Sequence, residues 1–433
     1  MKLVYGLGRS GRAVLRHLAR RGAAMQWWDD RPSPQDLQLV GELEVERADL
    51  SRGVPGRFAQ VIAAPGVPID HPDLLGLRAA GTEVIGEAEL GYRDSDLPMI
   101  AVTGTAGKGS TVAAIAALLR AQGIRAEECG NFDPPLLSVL DSEAPPELAV
   151  VELSSFQLER VDRFRSQVAV ITNLGVDHLD RHGTVARYHD LKRRIYRNQR
   201  AGDWTIVPAS ELERARSGSL GRCLGVPAHL EQLLDLQGRP VMGSEELPGG
   251  VFPENAQAAL WAAQAWLQRP AASWHSALQL LQPLPGRFER VGQLGGVDFV
   301  DDTLATRSLS ALQALRRAKA PVAWILGGID KGADLDVLRS AVMERVCHIV
   351  AIGRDGPRLA SAFPLPSTRV AAELGSAAMD AAVRAALAAL PGAGSVLLAP
   401  LAASFDLFQD YKERSREFRR AVSRLLLERA ERA

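Results

Sequence analysis

A glycine-rich loop with a lysine and two hydroxyl side chains stands between an apolar run and a helical pattern. The loop is Gly104–Thr111, with the sequence GTAGKGST, and it follows the apolar residues MIAVT. Backbone N–H groups in such a turn can point at phosphate oxygens, and the N-terminus of the following helix adds a favourable dipole. Lys108 can reach the terminal phosphates, and the hydroxyl of Ser110 or Thr111 can ligate magnesium.

The loop therefore predicts a binding site for ATP and Mg²⁺, with a turn that holds no ligand as the alternative. It is shorter than the generic pattern GxxxxGK followed by Ser or Thr, and a glycine comes directly after the lysine. The loop residues that we expect at the phosphates are Gly104, Thr105, Gly107, Lys108, Gly109, Ser110 and Thr111.

A second glycine pattern, GLGRSG at Gly6–Gly11, follows the first apolar run of the chain. It fits GxGxxG, and Asp29 ends the next strand pattern, at about the distance expected for an acid that contacts a ribose. The pattern indicates a second nucleotide site. Taken alone it would also suit the nicotinamide or flavin cofactor of an oxidoreductase, and a structural turn stays open as well.

Two further apolar runs end in side chains that could bind a metal. Glu152 stands at the end of the run in LAVVELSSFQLE, and a carboxylate beside a phosphate loop would supply a magnesium ligand. NLGVDHLDRH follows the next run and holds Asp177, His178, Asp180 and His182. Ligands of α/β proteins bind at the carboxyl ends of strands, so we expect these side chains near the loop. A salt-bridged or capping role is the alternative for the glutamate, and a structural role for a histidine.

The basic stretch LKRRIYRNQR, residues 191–200, contains Lys192. By composition alone it is typical of the solvated face of a helix, and only a family pattern would give this lysine another role.

Three stretches of the chain combine strand patterns, glycine turns and helical patterns, which predicts an α/β fold with parallel sheets. The first begins with a strand at Lys2–Tyr5, a helix from about Gly11 to Arg21 and a strand at Gln60–Ala63. We place the domain boundaries near residues 92 and 286, the second within the Pro/Gly-rich QPLPGRF. The predicted domains are residues 1–92, Rossmann-like; 93–286, P-loop ATPase-like with a parallel sheet; and 287–433, Rossmann-like, with a final helix from about Phe408 to Ala433.

Charge and cysteine content exclude several classes of protein. Lys plus Arg and Asp plus Glu both number 51, so the net charge is zero, which argues against a protein that coats nucleic acid or an anionic membrane. The three cysteines form no CxxC pair and suggest reduced thiols. No signal peptide or membrane-spanning run is evident. We expect a cytoplasmic enzyme, a monomer, with no nucleic-acid or membrane partner.

The motifs occur in an order that resembles the Mur ligase family. They are GLGxSG, TGTxGKxS, VELSSFQLE, NxxxDHLDRH and YxxxK with RIY, followed by LGGIDKGAD and by APLAASFDLF with YKERSREF. The resemblance covers essentially the whole chain, and VELSSFQLE and DHLDR are its most specific parts. It implies an ATP-dependent ligase of peptidoglycan synthesis that acts through an acyl phosphate. Within the family it favours the addition of D-glutamate to UDP-N-acetylmuramoyl-L-alanine, although no motif reads the handedness of the amino acid.

The resemblance also implies roles for individual residues. Two magnesium ions are implied, with Lys192 carbamylated so that it becomes an anion able to support the second. The implied catalytic residues are Lys108, Glu152, His178 and Lys192, and the metal ligands are Ser110, Glu152, His178 and Lys192. Further contacts to ATP are implied for Asn255, Arg287 and Asp302. The implied substrate contacts are Gly8, Arg9, Ser10, Asp29 and Asn131 for the sugar nucleotide, and Thr306, Lys331, Ser404 and Tyr411 for the amino acid.

Several positions depart from the family pattern. The family's DSKATN is DTLATR here, so that Leu304 replaces a lysine and Arg307 an asparagine. Only Asn255 remains of the family's HNxxN. Gly109 after the lysine makes the phosphate loop closer to that of folylpolyglutamate synthases. Another Mur ligase, a ligase like those synthases and a regulatory nucleotide-binding module therefore stay open as alternatives, and an oxidoreductase is the rival from another class.

Overall fold

The computed structural model describes residues 1–50, 57–131, 133–267, 274–371 and 375–430. The chain divides into two compact units. The first unit contains residues 1–247 and 252–281, and the second contains residues 248–251 and 282–433. None of the described helices combines the length and the apolar character that a bilayer crossing requires.

The N-terminal part of the first unit is a parallel sheet with helices between its strands. Its elements are β1 Lys2–Tyr5, α1 Arg9–Arg20, β2 Met25–Trp28, α2 Pro34–Glu42, β3 Gln60–Ala63, α3 Pro72–Ala79, β4 Glu83–Ile85 and α4 Glu87–Arg93. The strand order is β2-β1-β3-β4. Because the chain passes from β1 to one neighbour and then crosses to the other, a crevice forms at the carboxyl end of β1, where such sheets bind ligands.

A second parallel sheet follows in the same unit. Its elements are β5 Met99–Thr103, α5 Lys108–Ala121, β6 Ala126–Gly130, α6 Leu136–Leu140, β7 Leu148–Glu152, α7 Ser155–Leu158, β8 Val168–Ile171, α8 Leu179–His182, α9 Val185–Arg193, β9 Trp204–Pro208, α10 Leu212–Gly218 and β10 Arg222–Val226. The order is β10-β9-β8-β5-β7-β6. An antiparallel hairpin and two helices complete the unit, namely β11 Gln232–Leu234, β12 Pro240–Gly243, α11 Pro253–Leu267 and α12 Trp274–Gln279.

The central strands of this sheet are buried along their whole length, which explains their continuous apolar runs. Every residue of β5, β7 and β8 is buried. Parallel sheets are covered on both faces, so side chains of such strands cannot alternate between core and solvent. Functional groups must therefore come from the strand ends and the loops that follow them.

The second unit contains a mostly parallel sheet. Its elements are β13 Glu289–Leu294, β14 Val297–Asp301, α13 Ser308–Arg317, β15 Val322–Gly327, α14 Arg339–Arg345, β16 Val346–Ile352, α15 Gly356–Ala360, β17 Ser367–Arg369, α16 Gly375–Ala389, β18 Gly394–Leu398 and α17 Tyr411–Ala430. The order is β13-β14-β18-β15-β16-β17, and β13 pairs antiparallel at the edge. Short 3-10 helices lie at Arg194–Tyr196, Ala209–Glu211, Ser244–Glu246 and Asp336–Leu338.

The predicted fold class is confirmed, and the strands at Lys2–Tyr5 and Gln60–Ala63 have the predicted bounds. The first helix begins at Arg9 rather than Gly11, because it starts inside the glycine turn. The last helix begins at Tyr411 rather than Phe408, and residues 431–433 of its predicted end lie outside the described residues. The domain boundaries near 92 and 286 stay predictions.

Candidate active site

The glycine-rich loop connects β5, in the middle of the central sheet, to the N-terminus of α5. Gly104 and Gly107 have positive φ values of 151° and 79°. A Cβ at Gly104 would lie 1.9 Å from Thr172 Oγ1, and one at Gly107 would lie 2.9 Å from Asn255 Oδ1. Both positions therefore require glycine. Gly107 is also the N-cap of α5 and has no side chain to cap the helix, so the N-terminus presents backbone N–H groups.

The two hydroxyl residues that end the loop have different environments. Thr111 is fully buried, and its hydroxyl donates to the Gly107 carbonyl at 3.0 Å. Ser110 is half-buried. Of the two magnesium ligands that the sequence allowed, Ser110 is therefore the better placed.

Hydrogen bonds from the loop after β8 fix the phosphate loop, a role that the sequence analysis missed. The Asn173 carbonyl accepts from the Thr105 N–H at 3.1 Å, and its side-chain oxygen accepts from the Ala106 N–H at 2.9 Å. Thr172 and the Asn173 amide both donate to the Ala106 carbonyl, at 2.6 and 2.9 Å. Asn173 is the first residue of the motif NLGVDHLDRH. An amide side chain directly after a strand was therefore the sequence signal for this role.

Lys192 lies in the core beneath this loop, and the solvated position that its sequence context favoured is wrong. It is 1% exposed, and its Nζ donates to the Gly104 carbonyl at 2.7 Å. Lys108 Nζ donates to the same carbonyl at 2.9 Å. Burial, reinforced by the positive charge of Lys108, holds the pKa of Lys192 well below its usual value, although Asp177 and Glu152 act in the opposite direction. A lowered pKa favours the neutral amine, which is the nucleophilic form.

The ring of Tyr188, the tyrosine of the YxxxK motif, lies beside this lysine, a contact for which the sequence analysis gave no role. Lys192 Nζ is 4.7 Å from the centre of the ring, and the Tyr188 hydroxyl donates to Thr105 Oγ1 at 3.2 Å. The tyrosine precedes the lysine by four residues on α9, which places both on one face of the helix. The motif YxxxK records this spacing in the sequence.

Glu152 lies at the carboxyl end of β7, which is next to β5. It is 5% exposed, and its Oε1 accepts from Asn131 Nδ2 at 2.6 Å. The backbone supports the same pairing, because the Asn131 N–H donates to the Glu152 carbonyl at 2.8 Å. The contact joins the predicted metal ligand to the predicted sugar-nucleotide ligand.

His178 is the N-cap of α8 and has left-handed backbone angles, with φ 52° and ψ 36°. Such angles are uncommon for residues other than glycine and often mark functional positions. Its Nε2 lies 3.5 Å from Asp177 Oδ2, and its ring is 4.7 Å from that of Phe156 and 6.3 Å from that of Tyr188.

Within the described residues, no three His, Cys, Asp or Glu side chains form a ready-made metal cage. The residues present still fit Mg²⁺, which usually binds through one or two carboxylates together with substrate phosphates and water. The structure brings these predicted residues together around the carboxyl edge of the central sheet: Gly104, Thr105, Gly107, Lys108, Gly109, Ser110, Thr111, Glu152, His178, Lys192 and Asn255.

A cleft of about 400 Å³ extends from the N-terminal glycine turn to Asn131. Its lining contains all the predicted sugar-nucleotide contacts, together with residues that the sequence analysis did not select. The lining residues are Gly6, Leu7, Gly8, Arg9, Ser10, Asp29, Ala64, Pro65, Gly66, Val67, Gly130, Asn131, Pro135 and Gln157. Since Asn131 contacts Glu152, the cleft leads to the edge where the phosphate loop lies.

The three glycines of GLGRSG have separate roles in the turn at this cleft, and Gly6 and Gly8 line it. Gly6 has φ 88°, and a Cβ at Gly11 would lie 2.0 Å from the Gly6 carbonyl, so both positions are needed for the turn and the close helix. A Cβ at Gly8 would meet nothing within 4 Å. Asp29 closes the turn, since its Oδ2 accepts from the Leu7 N–H at 2.6 Å.

The remaining predicted residues lie in the second unit, on loops that follow neighbouring strands. Ile329 and Ala403 form an antiparallel bridge, so the loops after β15 and β18 run side by side. The Leu401 N–H donates to the Ala305 carbonyl at 2.9 Å, which joins the loop after β14 to that after β18. Thr306, Lys331 and Ser404 belong to these loops, and Tyr411 begins α17.

Two residues predicted to contact the nucleotide, Arg287 and Asp302, also lie in the second unit. Asp302 is 5% exposed, and burial raises its pKa to about 7, although the charge of Arg287 lowers it in part. The two groups are thus near each other within this unit.

Comparisons with known proteins show which family the chain belongs to. Residues 1–86 match the MurD-like N-terminal domain of Mur ligases, and residues 102–219 match the Mur ligase middle domain. UDP-N-acetylmuramoylalanine–D-glutamate ligase of Deinococcus radiodurans is 50% identical over 433 residues, which cover 98% of this chain and 92% of the relative. The enzyme of that name from Thermus thermophilus is 46% identical over 430 residues, covering 98% of this chain and 97% of the relative.

A solved structure shows the same fold. The pseudomurein peptide ligase type C of Methanothermus fervidus superimposes with a TM-score of 0.59 at 16% identity, covering 98% of this chain and 99% of that protein. Identity of this extent with relatives over nearly the whole chain, and the match of two consecutive domains, show that the chain belongs to the Mur ligase family.

Proposed function

We propose that the chain is an ATP-dependent ligase that adds D-glutamate to UDP-N-acetylmuramoyl-L-alanine in peptidoglycan synthesis. The observation that carries the proposal is the contact between Asn131 and Glu152, which joins the sugar-nucleotide cleft to the phosphate loop. The names of the relatives that are 50% and 46% identical supply the substrates. Because the reaction consumes ATP, we infer that it takes place in the cytoplasm.

The chemistry explains why the phosphate loop lies near the end of the sugar-nucleotide cleft where Asn131 contacts Glu152. The carboxylate of the substrate's alanine is a poor acyl donor, so the γ-phosphoryl group of ATP is transferred to it and ADP leaves. Lys108 neutralises charge that develops on the transferred group. The amine of glutamate then attacks the acyl phosphate through a tetrahedral intermediate, and inorganic phosphate leaves as the amide forms.

Magnesium would supply further charge neutralisation on the phosphate oxygens. Ser110, Glu152 and His178 would hold it in the first unit, with Lys192 after carbamylation. Carbamylation is supported by the environment of Lys192, because it shares one carbonyl acceptor with Lys108 and is withdrawn from water. The amine attacks CO₂, loses a proton and becomes an anionic carbamate. The change places an anion beside the cationic Lys108, and the two groups attract each other.

The loops of the second unit are the proposed site for the amino acid. Ser404 is 3% exposed, and Thr306 and Lys331 stand on the adjoining loops. A hydroxyl pair and a lysine suit the two carboxylates of glutamate. We propose the same unit for part of the nucleotide contact, through Arg287 and Asp302, while Asn255 lies over Gly107 in the first unit.

The proposal is tested by mixing the purified protein with ATP, Mg²⁺, UDP-N-acetylmuramoyl-L-alanine and single amino acids, with both enantiomers of glutamate among them. Phosphate release should require the sugar nucleotide and D-glutamate together. A folate with glutamate is the control for the folylpolyglutamate alternative and should release none. Release that is independent of the sugar nucleotide, or equal with L-glutamate, would refute the assignment.

A further inference from the structure

A buried carboxylate outside the reacting groups contacts two arginines. Glu159 follows α7 and its side chain is 1% exposed. Its Oε2 accepts from Arg181 Nη2 at 2.6 Å, with Arg181 Nε 3.4 Å from Oε1. Arg160 Nη1 lies 3.8 Å from Oε2, and the side chain of Arg160 is also 1% exposed. We call Glu159, Arg160 and Arg181 the Glu159 cluster.

Both arginines of the cluster donate to one carbonyl in the wall of the sugar-nucleotide cleft. Arg181 Nη2 donates to the Val67 carbonyl at 2.8 Å, and Arg160 Nη2 donates to the same oxygen. Val67 ends the segment Ala64–Val67, which lines the cleft next to the glycine turn. The position of that wall therefore depends on two guanidinium groups that the Glu159 carboxylate holds.

The cluster also holds the loop that carries His178. Arg181 stands three residues after His178, and the Arg181 guanidinium lies 5.1 Å from the Phe156 ring, which in turn packs 4.7 Å from the ring of His178. His182 is anchored on the same side, since its Nε2 lies 3.0 Å from Ser155 Oγ. The left-handed backbone of His178 is thus kept in place by the side chains that pack around it.

Removing the carboxylate would leave the buried guanidinium of Arg160 and the largely buried guanidinium of Arg181 without their counter-charge. Breaking a buried ion pair on one side is far more disruptive than breaking an exposed pair, because the remaining charge must seek water. The arginines would shift, and the Val67 carbonyl and the His178 loop would shift with them. One change would therefore disturb two binding regions.

We propose that Glu159 is a positioning residue that couples the sugar-nucleotide cleft to the metal and phosphate edge, so that ligands in the two places strengthen each other's binding. The inference rests on the proposed function for the identity of the ligands. Coupling between two sites is reciprocal and typically amounts to about 5- to 150-fold in affinity.

The test is calorimetric titration of wild-type protein and Glu159→Gln with a non-hydrolysable ATP analogue and Mg²⁺, with and without saturating UDP-N-acetylmuramoyl-L-alanine. In the wild type the sugar nucleotide should tighten analogue binding about tenfold. In Glu159→Gln this factor should fall close to one, and KM for the sugar nucleotide should rise about tenfold. Glu159→Asp, which keeps the charge, should restore part of both effects.

Asp203→Asn is the matched control. Asp203 is 4% exposed and pairs with Arg165 through two contacts of 2.7 and 2.8 Å, at the opposite edge of the same sheet. It should lower the melting temperature without changing the coupling factor. If Glu159→Gln behaves like this control, with lower stability and full coupling, the inference is overturned.

The outcomes separate the inference from the proposed function. Wild-type protein that neither binds the sugar nucleotide nor releases glutamate-dependent phosphate would refute the function itself. Should Glu159→Gln fail to fold, Arg160→Gln removes one donor to the Val67 carbonyl and leaves the Glu159–Arg181 pair intact. It should reduce the coupling several-fold, and undiminished coupling in this variant would overturn the inference.

Discussion

Lys192 in the first unit and Arg414 in the second are both long, buried cationic residues, and the two differ in what surrounds them. Both are 1% exposed. Arg414 donates to Thr303 Oγ1 at 2.9 Å, to the Thr303 carbonyl at 2.8 Å and to the Ala402 carbonyl at 3.1 Å. Lys192 donates to the Gly104 carbonyl, which Lys108 also uses.

The difference separates an arginine that holds the fold from a lysine for which we propose a chemical role. Burial lowers the pKa of Arg414 only to about 10, so it stays charged and ties the loops after β14 and β18 together. A lysine in similar burial can lose its proton and act as a nucleophile, which a guanidinium cannot do. In the second unit, the charge of Arg414 holds two loops in place. In the first unit, the buried Lys192 lies next to the phosphate loop.

The largest expected effect comes from changing Lys192. Lys192→Ala and Lys192→Arg should both lower kcat by about 10³-fold, since neither side chain can become a carbamate beside Lys108. The alanine variant should also have a lower melting temperature, because truncating a side chain that is 1% exposed leaves a cavity in the core. Steady-state kinetics and thermal unfolding measure the two quantities.

Chemical rescue tests directly whether an anion is required at the position of Lys192. Short carboxylates should restore part of the rate of Lys192→Ala and none of that of Lys192→Arg, in which the space is filled by a cation. An arginine variant with wild-type kcat would show that charge alone is required, and the distinction from Arg414 would disappear.

Changing Arg414 should act on stability first. Arg414→Ala leaves the Thr303 and Ala402 carbonyls without donors in a buried place, and we expect a loss of about 3–5 kcal/mol in the free energy of unfolding. Arg414→Lys keeps the charge but cannot reach all three acceptors, so the loss should be smaller, about 1–3 kcal/mol. Denaturant unfolding measures both. A variant as stable as the wild type would mean that the arginine does not hold the loops.

Glycines of the GLGRSG turn give a similar contrast between a position needed for the fold and a position next to the ligand site. Gly11→Ala would bring a Cβ to 2.0 Å from the Gly6 carbonyl, and we expect a loss of about 2–4 kcal/mol in stability. Gly8→Ala meets open space and should leave the melting temperature nearly unchanged while it raises KM for the sugar nucleotide. If both variants lose stability equally, Gly8 belongs to the fold and not to the ligand site.

The sequence predicted those features that depend on local patterns. The strands Lys2–Tyr5 and Gln60–Ala63 were found because a buried parallel strand must be apolar at every position. The positions of Gly104, Glu152 and His178 followed from their place at strand ends, where α/β sheets present side chains.

Features that depend on packing between distant segments could not be predicted in the same way. Without the family pattern, Lys192 was assigned to solvent because its helix carries many charges, and its burial comes from Gly104, 88 residues away in the chain. The Glu159 cluster was missed for a similar reason, since Val67 and Arg181 are 114 residues apart. Charged residues in such clusters look like surface residues until their partners are known.

The smallest expected effect concerns Glu87, a buried acid outside the candidate active site. It tests whether burial of an ionisable group is by itself a sign of a catalytic role. Glu87 is 2% exposed, its Oε1 accepts from the Leu137 N–H at 2.8 Å, and among the described residues its Oε2 has no hydrogen-bond partner. Burial raises its pKa from 4.5 to about 7. Between those values the folded state keeps a proton that the unfolded state has released, so stability falls as pH rises through this range.

Glu87→Gln keeps a neutral side chain of the same shape and removes this dependence. We expect the free energy of unfolding of the variant to match that of the wild type at pH of about 5 and to exceed it by about 1–3 kcal/mol above pH of about 7. The kcat should be unchanged throughout. Glu143→Gln, at an exposed position, is the control and should show no pH-dependent difference. Unfolding curves across this range decide the matter: a constant difference between Glu87→Gln and wild type would mean that Glu87 is ionised in the fold. A loss of kcat would instead place it, like Lys192, among the groups that burial prepares for the reaction.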